Sequence, residues 1–392
     1  MENRLPNAEW TRRKGLAALT AALGAQRIRW VGGAVRDTLL GVAVNDVDCA
    51  TTLHPNEVIA LCRDAGIRTV PTGIDHGTVT AIFEDGPVEI TTLRRDVSTD
   101  GRRATVAFAE DWREDAARRD FTINALYAHP ETLEIEDWFG GLDDLAARRV
   151  RFIGDAAQRI REDHLRILRY FRFQARFGDD PDPDALSACR DLAQTLKGLS
   201  RERVAMELLA ILGLPDPGPA VALMHDLGVL QVILPEARER ERAVLGALVA
   251  SEQSAGAAPE AIRRLAALVP PVPSLAEALA ARLRLSRAQR ARLVCAAERK
   301  DSDTEAPRAL AYSEGIACAR DRLLLQGAAI AAIEGWEAPQ FPLKGGEIVQ
   351  RGIGAGPQVA RIMQAVEARW VAEGFPSRER VEELLESELD TR

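Results

Sequence analysis

The sequence predicts an α+β fold: a small mixed-sheet head followed by an all-helical remainder. Three observations predict it. Short β-rich runs alternate with helical periodicity only in the first 150 residues or so. From Asp155 onward the chain carries Ala/Leu/Arg/Glu-rich amphipathic patterns and no β signal. The breakers Pro215-Asp216-Pro217-Gly218-Pro219 and Val269-Pro270-Pro271-Val272-Pro273 divide that part into segments. With 392 residues, the chain is long enough for about two to four domains.

In chain order, Leu16 to Leu23 reads as a helix, and Ile28 to Val31 as a short apolar strand stopped by Gly32-Gly33. Ala34 to Leu40 reads as a helix and Val47 to Thr51 as a strand. Pro55 to Cys62 has proline at the favoured first helical position. Gly77 to Phe83 and Val88 to Leu93 are strands joined through Glu84-Asp85-Gly86-Pro87, a hairpin signal. Val106 to Phe108 is a further short strand. Helices are then expected over Arg159–Phe177, Pro183–Leu196 and Arg201–Leu212, with more helices to the C-terminus and no internal repeat.

Composition narrows the function. Hydrophobic residues make up 46% and charged residues 28%, as in a globular protein with a full core. No run of about 18 apolar residues suggests a membrane span. No secretory signal precedes Trp10. The five cysteines (Cys49, Cys62, Cys189, Cys295 and Cys318) show no C-x-x-C spacing. This predicts no disulfide partner, no zinc site and a reducing, cytoplasmic setting. Net charge is −8, which argues mildly against nucleic acid, but a nucleic acid feels the local patch. Between Arg151 and Arg176 seven arginines face three acids.

The chemistry concentrates in four places. Gly32-Gly33-Ala34-Val35-Arg36-Asp37 ends a strand and opens a helix, a turn whose backbone N–H groups can approach a phosphate while Arg36 holds one of its oxygens. Asp46-Val47-Asp48 follows. Residues two apart on a strand point the same way, about 7 Å apart, and two carboxylates on one face repel unless a cation sits between them. Mg²⁺ with triphosphate oxygens fills that role; the bland reading is a pair of turn aspartates. Glu89, on a neighbouring strand, is the third carboxylate, acting as general base or metal ligand, or else standing on the surface. In Arg118-Arg119-Asp120-Phe121-Thr122-Ile123-Asn124, the residues Arg119, Asp120 and Asn124 suit a ribose and phosphate on a helix start, with Phe121 and Leu126 facing the core.

The fourth place is one helix over Arg159 to Phe173. Asp163, Arg166 and Arg169 are spaced to share a face, with Arg172 one turn further. An aspartate accepting from an exocyclic amine and an arginine donating to a ring nitrogen match cytosine and adenine. The same pair mismatches uracil and guanine, which leave buried polar groups unpaired. The alternative is a salt-bridged solvated face. His225-Asp226 imitates a phosphohydrolase centre, but His225 is the last histidine of five, too few to assemble such a metal site.

Taken together, GGAVRD, DVD, HGTVT, EITTLRRD, the segment Asp100 to Arg103, RRDFTINAL, IREDHLRILRYFRF and SRERVAMEL resemble the class II tRNA nucleotidyltransferases (CCA-adding enzymes) and bacterial poly(A) polymerases. PLKGGEIVQRGIGAGPQVARIMQ near the C-terminus is a further family-like segment. The resemblance implies a catalytic head over residues 1–148, a neck over 149–214 with the nucleotide-reading helix, a body over 215–335 and a tRNA-binding tail over 336–392. It implies Asp46 and Asp48 as metal ligands, Gly33 and Arg36 at the triphosphate, and Arg119 and Asp120 at the sugar. Asp163 and Arg166 become the template for CTP and ATP, with Arg169 and Arg172 on phosphates. His164 stands where proline is expected, which alters helix entry. The segment Arg94 to Ala109 matches the family's flexible loop, which the resemblance associates with adding the final A. The implied activity is template-independent addition of C, C and A to the tRNA 3′ end. The alternatives are poly(A) synthesis, a CC-only or A-only specialist, and a non-catalytic RNA-binding protein on the same scaffold. No strongly basic C-terminal extension is present to grip generic RNA, which favours tRNA.

Overall fold

The computed structural model describes residues 3–100 and 103–390; Gly101 and Arg102 of the Asp100–Arg103 segment lie outside the described residues. The chain divides into two compact units, Met1–Pro235 and Glu236–Arg392. The four-part subdivision expected from the sequence is finer than this partition.

The first unit begins with α1 (Lys14–Leu23), β1 (Ile28–Val31), α2 (Gly33–Leu39), β2 (Asp48–Thr51) and α3 (Pro55–Asp64). There follow β3 (Arg68–Gly73), β4 (Thr78–Ile82), β5 (Val88–Thr92), β6 (Arg94–Asp100), β7 (Arg103–Phe108) and α4 (Trp112–Ala117). The head closes with β8 (Tyr127–Ala128), β9 (Ile135–Glu136) and α5 (Gly141–Ala146). Seven strands form one sheet in the order β3-β4-β5-β2-β1-β8-β9. Its β2–β5 pair is parallel and its other pairs are antiparallel, so the sheet is mixed, as predicted. Leu16, Leu19 and Leu23 of α1 and Val58 and Cys62 of α3 are buried, the one-sided burial expected of helices lying on a sheet. β6 and β7 form a separate antiparallel ribbon. The segment expected as a flexible loop therefore contains paired strands.

No described strand follows Glu136. The first unit continues with α6 (Ala156–Glu162), α7 (Arg166–Phe177), α8 (Pro183–Leu192), α9 (Arg201–Leu212), α10 (Gly218–Asp226) and α11 (Val229–Ile233). The single helix expected over Arg159–Phe177 is two helices. Asp163 ends α6 with extended backbone (φ −149°, ψ 104°), and its carboxylate accepts from the Leu165 N–H at 3.1 Å. That local bond competes with continuing the helix. The amphipathic pattern runs unbroken through the break, which hides it.

The second unit contains α12 (Glu239–Ser254), α13 (Ala261–Ala267), α14 (Pro273–Arg282), α15 (Arg287–Ala297), α16 (Pro307–Glu314), α17 (Ile316–Leu325), α18 (Gly345–Gln350), α19 (Pro357–Ala372) and α20 (Arg378–Asp390). Its last three helices close on a cluster around Trp370, with Ile362, Val366, Val381, Leu384 and Leu385 buried. Cys295 of α15 and Cys318 of α17 are joined by a disulfide, with Cα atoms 6.1 Å apart. This corrects the expectation of unpaired cysteines: the packing of α15 against α17 brings together two residues 23 apart, which spacing rules cannot foresee. Cys49, Cys62 and Cys189 are free and buried. No described helix is long and apolar enough to cross a membrane.

Candidate functional site

The first element of the site is the β1–α2 turn. Gly32 has φ +66°, a left-handed backbone that glycine adopts without strain. A Cβ there would stand 3.2 Å from Nη1 of Arg119, so the turn and that guanidinium touch. Arg36 is buried. Its Nη1 donates to Asn124 Oδ1 at 2.5 Å and its Nε to Asp37 Oδ1 at 2.8 Å, while its guanidinium lies 4.3 Å from the Phe177 ring centre. Burial pulls Arg36 below its ordinary pKa, and Asp37 opposes this.

The carboxylates come next. β2 begins at Asp48, so Asp46 lies in the segment leading into it. Val47 and Cys49 are buried while Asp46 and Asp48 are exposed, the alternation that puts both aspartates on one side. Asp48 sits directly opposite Glu89 in the parallel β2–β5 register. Desolvation raises the Asp48 carboxyl above its ordinary range; Glu89 and Asp46 raise it further, and Arg119 opposes them. Among the described residues no ion pair engages Asp46, Asp48 or Glu89. Carboxylate oxygens on one side of the sheet, with no ion pair among the described residues, are hard donors of the kind that suits a divalent cation of the magnesium type. Asp46 and Asp48 are the residues that could hold one.

The third element is Arg118 to Asn124, a 3₁₀ turn over Thr122–Asn124 and not the expected helix start. Asp120 Oδ1 accepts from the Phe121 N–H at 2.9 Å and from Asn124 Nδ2 at 3.0 Å, bonds that favour the tight turn. Phe121 and Leu126 are fully buried, as predicted. Asp120 Oδ2 accepts from Arg169 Nε at 2.7 Å. Burial would raise the Asp120 carboxyl, but Arg169 and Asn124 hold it below the ordinary carboxylate range.

The fourth element is the α6–α7 break. Asp163 and Arg166 do not pair with each other. Asp163 Oδ2 accepts from Arg203 Nη2 of α9 at 2.6 Å. Arg166 Nη1 donates to Glu162 at 2.5 Å and to the Arg159 carbonyl at 2.9 Å, and its Nη2 to the Arg118 carbonyl at 3.2 Å. Both side chains are thus held by neighbours at set orientations. Arg172 turns to Glu207, with Nε to Oε2 at 2.7 Å.

These elements enclose a cavity of about 510 Å³, within the usual range for small-molecule sites. Gly32, Gly33, Arg36, Asp48, Arg119, Asp120, Asn124, Asp163, Arg166 and Arg169 all line it. Asp46, Glu89 and Arg172 are absent from its wall. Arg118, Leu165, Phe173 and Arg203, none of them among the site residues expected from the sequence, line it as well. Arg203 was legible only as part of SRERVAMEL, because its role depends on a contact 40 residues away. The His225 ring lies 3.2 Å from its neighbour Asp226, and among the described residues no metal-ligating group forms around the pair.

Residues 28–151 match the family described as "Poly A polymerase head domain". Residues 180–240 match "Probable RNA and SrmB-binding site of polymerase A". The chain is 36% identical over 385 residues to human "CCA tRNA nucleotidyltransferase 1, mitochondrial", covering 92% of this chain and 87% of that protein. It is 45% identical over 188 residues to the CCA-adding enzyme of Streptococcus gordonii, covering 47% of this chain and 46% of that protein. Its fold matches the Bacillus stearothermophilus CCA-adding enzyme in complex with CTP at a TM-score of 0.71 and 23% identity, covering 97% of this chain and 99% of the other.

Proposed function

Since the chain belongs to the CCA tRNA nucleotidyltransferase family, we propose that the cavity lined by Asp48, Arg119, Asp163 and Arg166 is where CTP and ATP are selected and joined to the tRNA 3′ end. The chain is a nucleotidyltransferase that adds C, C and A to tRNA. The observation that carries the site assignment is one juxtaposition. Asp48, beside Glu89 and Asp46, shares a cavity wall with the Gly32-Gly33 turn and with Asp163 and Arg166.

In this reading the turn at Gly32 and Gly33 offers backbone N–H groups to the triphosphate, with Arg119 beside it. Arg36 is committed to Asn124 and Asp37, so it stiffens that turn and presents its remaining N–H groups. Asp163 accepts from the exocyclic amine of cytosine or adenine, and Arg166 donates to the adjacent ring nitrogen. Arg203 and Glu162 hold the two in register. Uracil and guanine would present the opposite pattern and leave both charged groups unpaired in a confined site. Asp120 and Asn124, bonded to each other, stand where the sugar lies, and Arg169 closes that side. The tRNA 3′-oxygen bonds to the α-phosphorus as the bond to the bridging oxygen breaks. Pyrophosphate leaves with the electron pair, and the hydroxyl proton passes to Glu89 or to water. A divalent cation held by Asp46 and Asp48 supplies charge neutralisation at the phosphates and polarisation of the attacking hydroxyl.

The test is extension of a tRNA lacking its terminal CCA, with one nucleotide at a time and with Mg²⁺ present or chelated. CTP alone should add two residues, ATP should add one after them, and chelation should stop both. Incorporation of ATP alone into generic RNA would indicate poly(A) synthesis. CTP incorporation with no A would indicate a CC specialist. Binding without pyrophosphate release would indicate a non-catalytic scaffold.

A further inference from the structure

We infer that Asp115 is a positioning residue that ties the root of the β6–β7 ribbon to the two arginines at the nucleotide cavity; this rests on the reading of that cavity given above. Asp115, on α4, is 1% exposed, and donors from three directions converge on it. The backbone N–H of Arg94, the first residue of β6, donates to Oδ1 at 3.0 Å. Arg118 donates to Oδ1 from Nε at 2.8 Å, and Arg119 to Oδ2 from Nη2 at 3.4 Å. The Tyr127 hydroxyl donates to Oδ2 at 2.5 Å and itself accepts from Arg119 Nε at 2.8 Å.

The two arginines are the link to the cavity, since both line it. Arg119 touches the Gly32 turn, and the Arg118 carbonyl accepts from Arg166. One buried carboxylate thus sets the wall beneath the triphosphate and, through Arg118, the base-reading arginine. The ribbon meets the sheet at Leu93 and Ala109, where the Ala109 N–H donates to the Leu93 carbonyl at 2.9 Å. The Arg94 amide is its bond to Asp115. Burial would raise the Asp115 carboxyl, yet Arg119, Arg118 and Tyr127 hold it at about 2. It therefore stays ionised and keeps both guanidinium groups aimed. Arginine heads fixed in this way serve a ligand because their orientation costs nothing further on binding.

Two substitutions at one position isolate the link. Arg94→Pro removes the amide donor at the first residue of a strand, where proline is tolerated. Arg94→Ala keeps that amide and removes only the side chain. CTP kinetics on a tRNA lacking CCA should show the wild-type KM in Arg94→Ala and a raised KM in Arg94→Pro. Asp115→Asn should lose about 10–100-fold in kcat/KM, the cost of one charged hydrogen bond. That loss should be carried by the KM for CTP, with the KM for tRNA unchanged and UTP admitted more readily. A merely destabilised protein would lose active fraction, lowering kcat at constant KM. Equal KM values in Arg94→Pro and Arg94→Ala, or a loss in Asp115→Asn confined to kcat, would overturn the inference. Absence of CTP incorporation by the wild-type chain would overturn the underlying reading of the cavity instead.

Discussion

Acids buried in the second unit and acids at the β2–β5 edge of the first are partnered in opposite ways. In the second unit, Glu252 is 1% exposed and accepts from Arg263 Nε at 2.7 Å and Arg264 Nε at 2.8 Å. Asp321, fully buried, accepts from Arg292 at 2.6 Å and Arg263 at 3.2 Å. Asp303 and Arg322 make a bidentate pair with both bonds at 2.7 Å. Each of these buried acids faces a guanidinium, so together they tie α12, α13, α15 and α17 without needing a ligand. In the first unit Asp48 lies opposite Glu89 and feels the charge of both Glu89 and Asp46, and among the described residues no ion pair engages any of the three. A carboxylate already met by guanidinium groups holds helices together, whereas one with no guanidinium beside it keeps its oxygens open to a ligand. That contrast makes separate predictions for the two regions.

The largest effect should come from removing an unpaired acid. Asp46→Ala should lower incorporation of both CTP and ATP by more than the roughly 10–100-fold that outer-shell partners of a metal cost, with tRNA affinity preserved. Next, Glu252→Ala or Asp321→Ala should destabilise the second unit by about 3–5 kcal/mol, because each strands buried guanidinium groups. Denaturant unfolding measures this. The rate of the folded fraction in single-turnover assays should stay near wild type. A smaller effect is expected where charge is paired but also reads a ligand. Asp163→Ala or Arg166→Ala should narrow the preference for CTP over UTP by about 10–100-fold. Unchanged selectivity would place base reading elsewhere.

The smallest effects are in pH dependence, and the contrast predicts their signs. Asp115 titrates at about 2 in the folded chain. Its contribution to stability is therefore complete above the ordinary carboxylate range, and is lost as pH falls through that range toward about 2. Asp115→Asn should flatten acid unfolding in that window. Asp48 is shifted the other way, upward. Its ionised form costs stability at neutral pH, and that cost disappears as pH falls to the ordinary carboxylate range. Asp48→Asn should thus raise the neutral Tm in the absence of metal, where Asp115→Asn lowers it.

Much of this was legible in the residues. Alternating Asp46-Val47-Asp48-Cys49 placed two acids on one side, and the Glu84–Pro87 turn placed β4 against β5 and so Glu89 in the sheet beside Asp48. β3 was missed because it is a mostly exposed edge strand interrupted by Pro71, and β8 and β9 because two residues carry no period. The ten cavity-lining residues named from the sequence lie in local motifs, where spacing is informative. Asp115, Arg118 and Arg203 act through partners distant in sequence or committed to tertiary pairs. An arginine-rich chain, with 47 arginines, offers no local cue to which guanidinium meets which acid. The Cys295–Cys318 pair was hidden for the same reason.

The most direct measurement of the central claim compares wild type with Asp48→Asn. A tRNA lacking CCA is extended with CTP and Mg²⁺ while tRNA affinity and Tm are recorded on the same preparations. The account predicts that incorporation collapses while affinity holds and the metal-free Tm stays level or rises. Wild-type incorporation by Asp48→Asn, or a collapse explained by a fallen Tm, would contradict it.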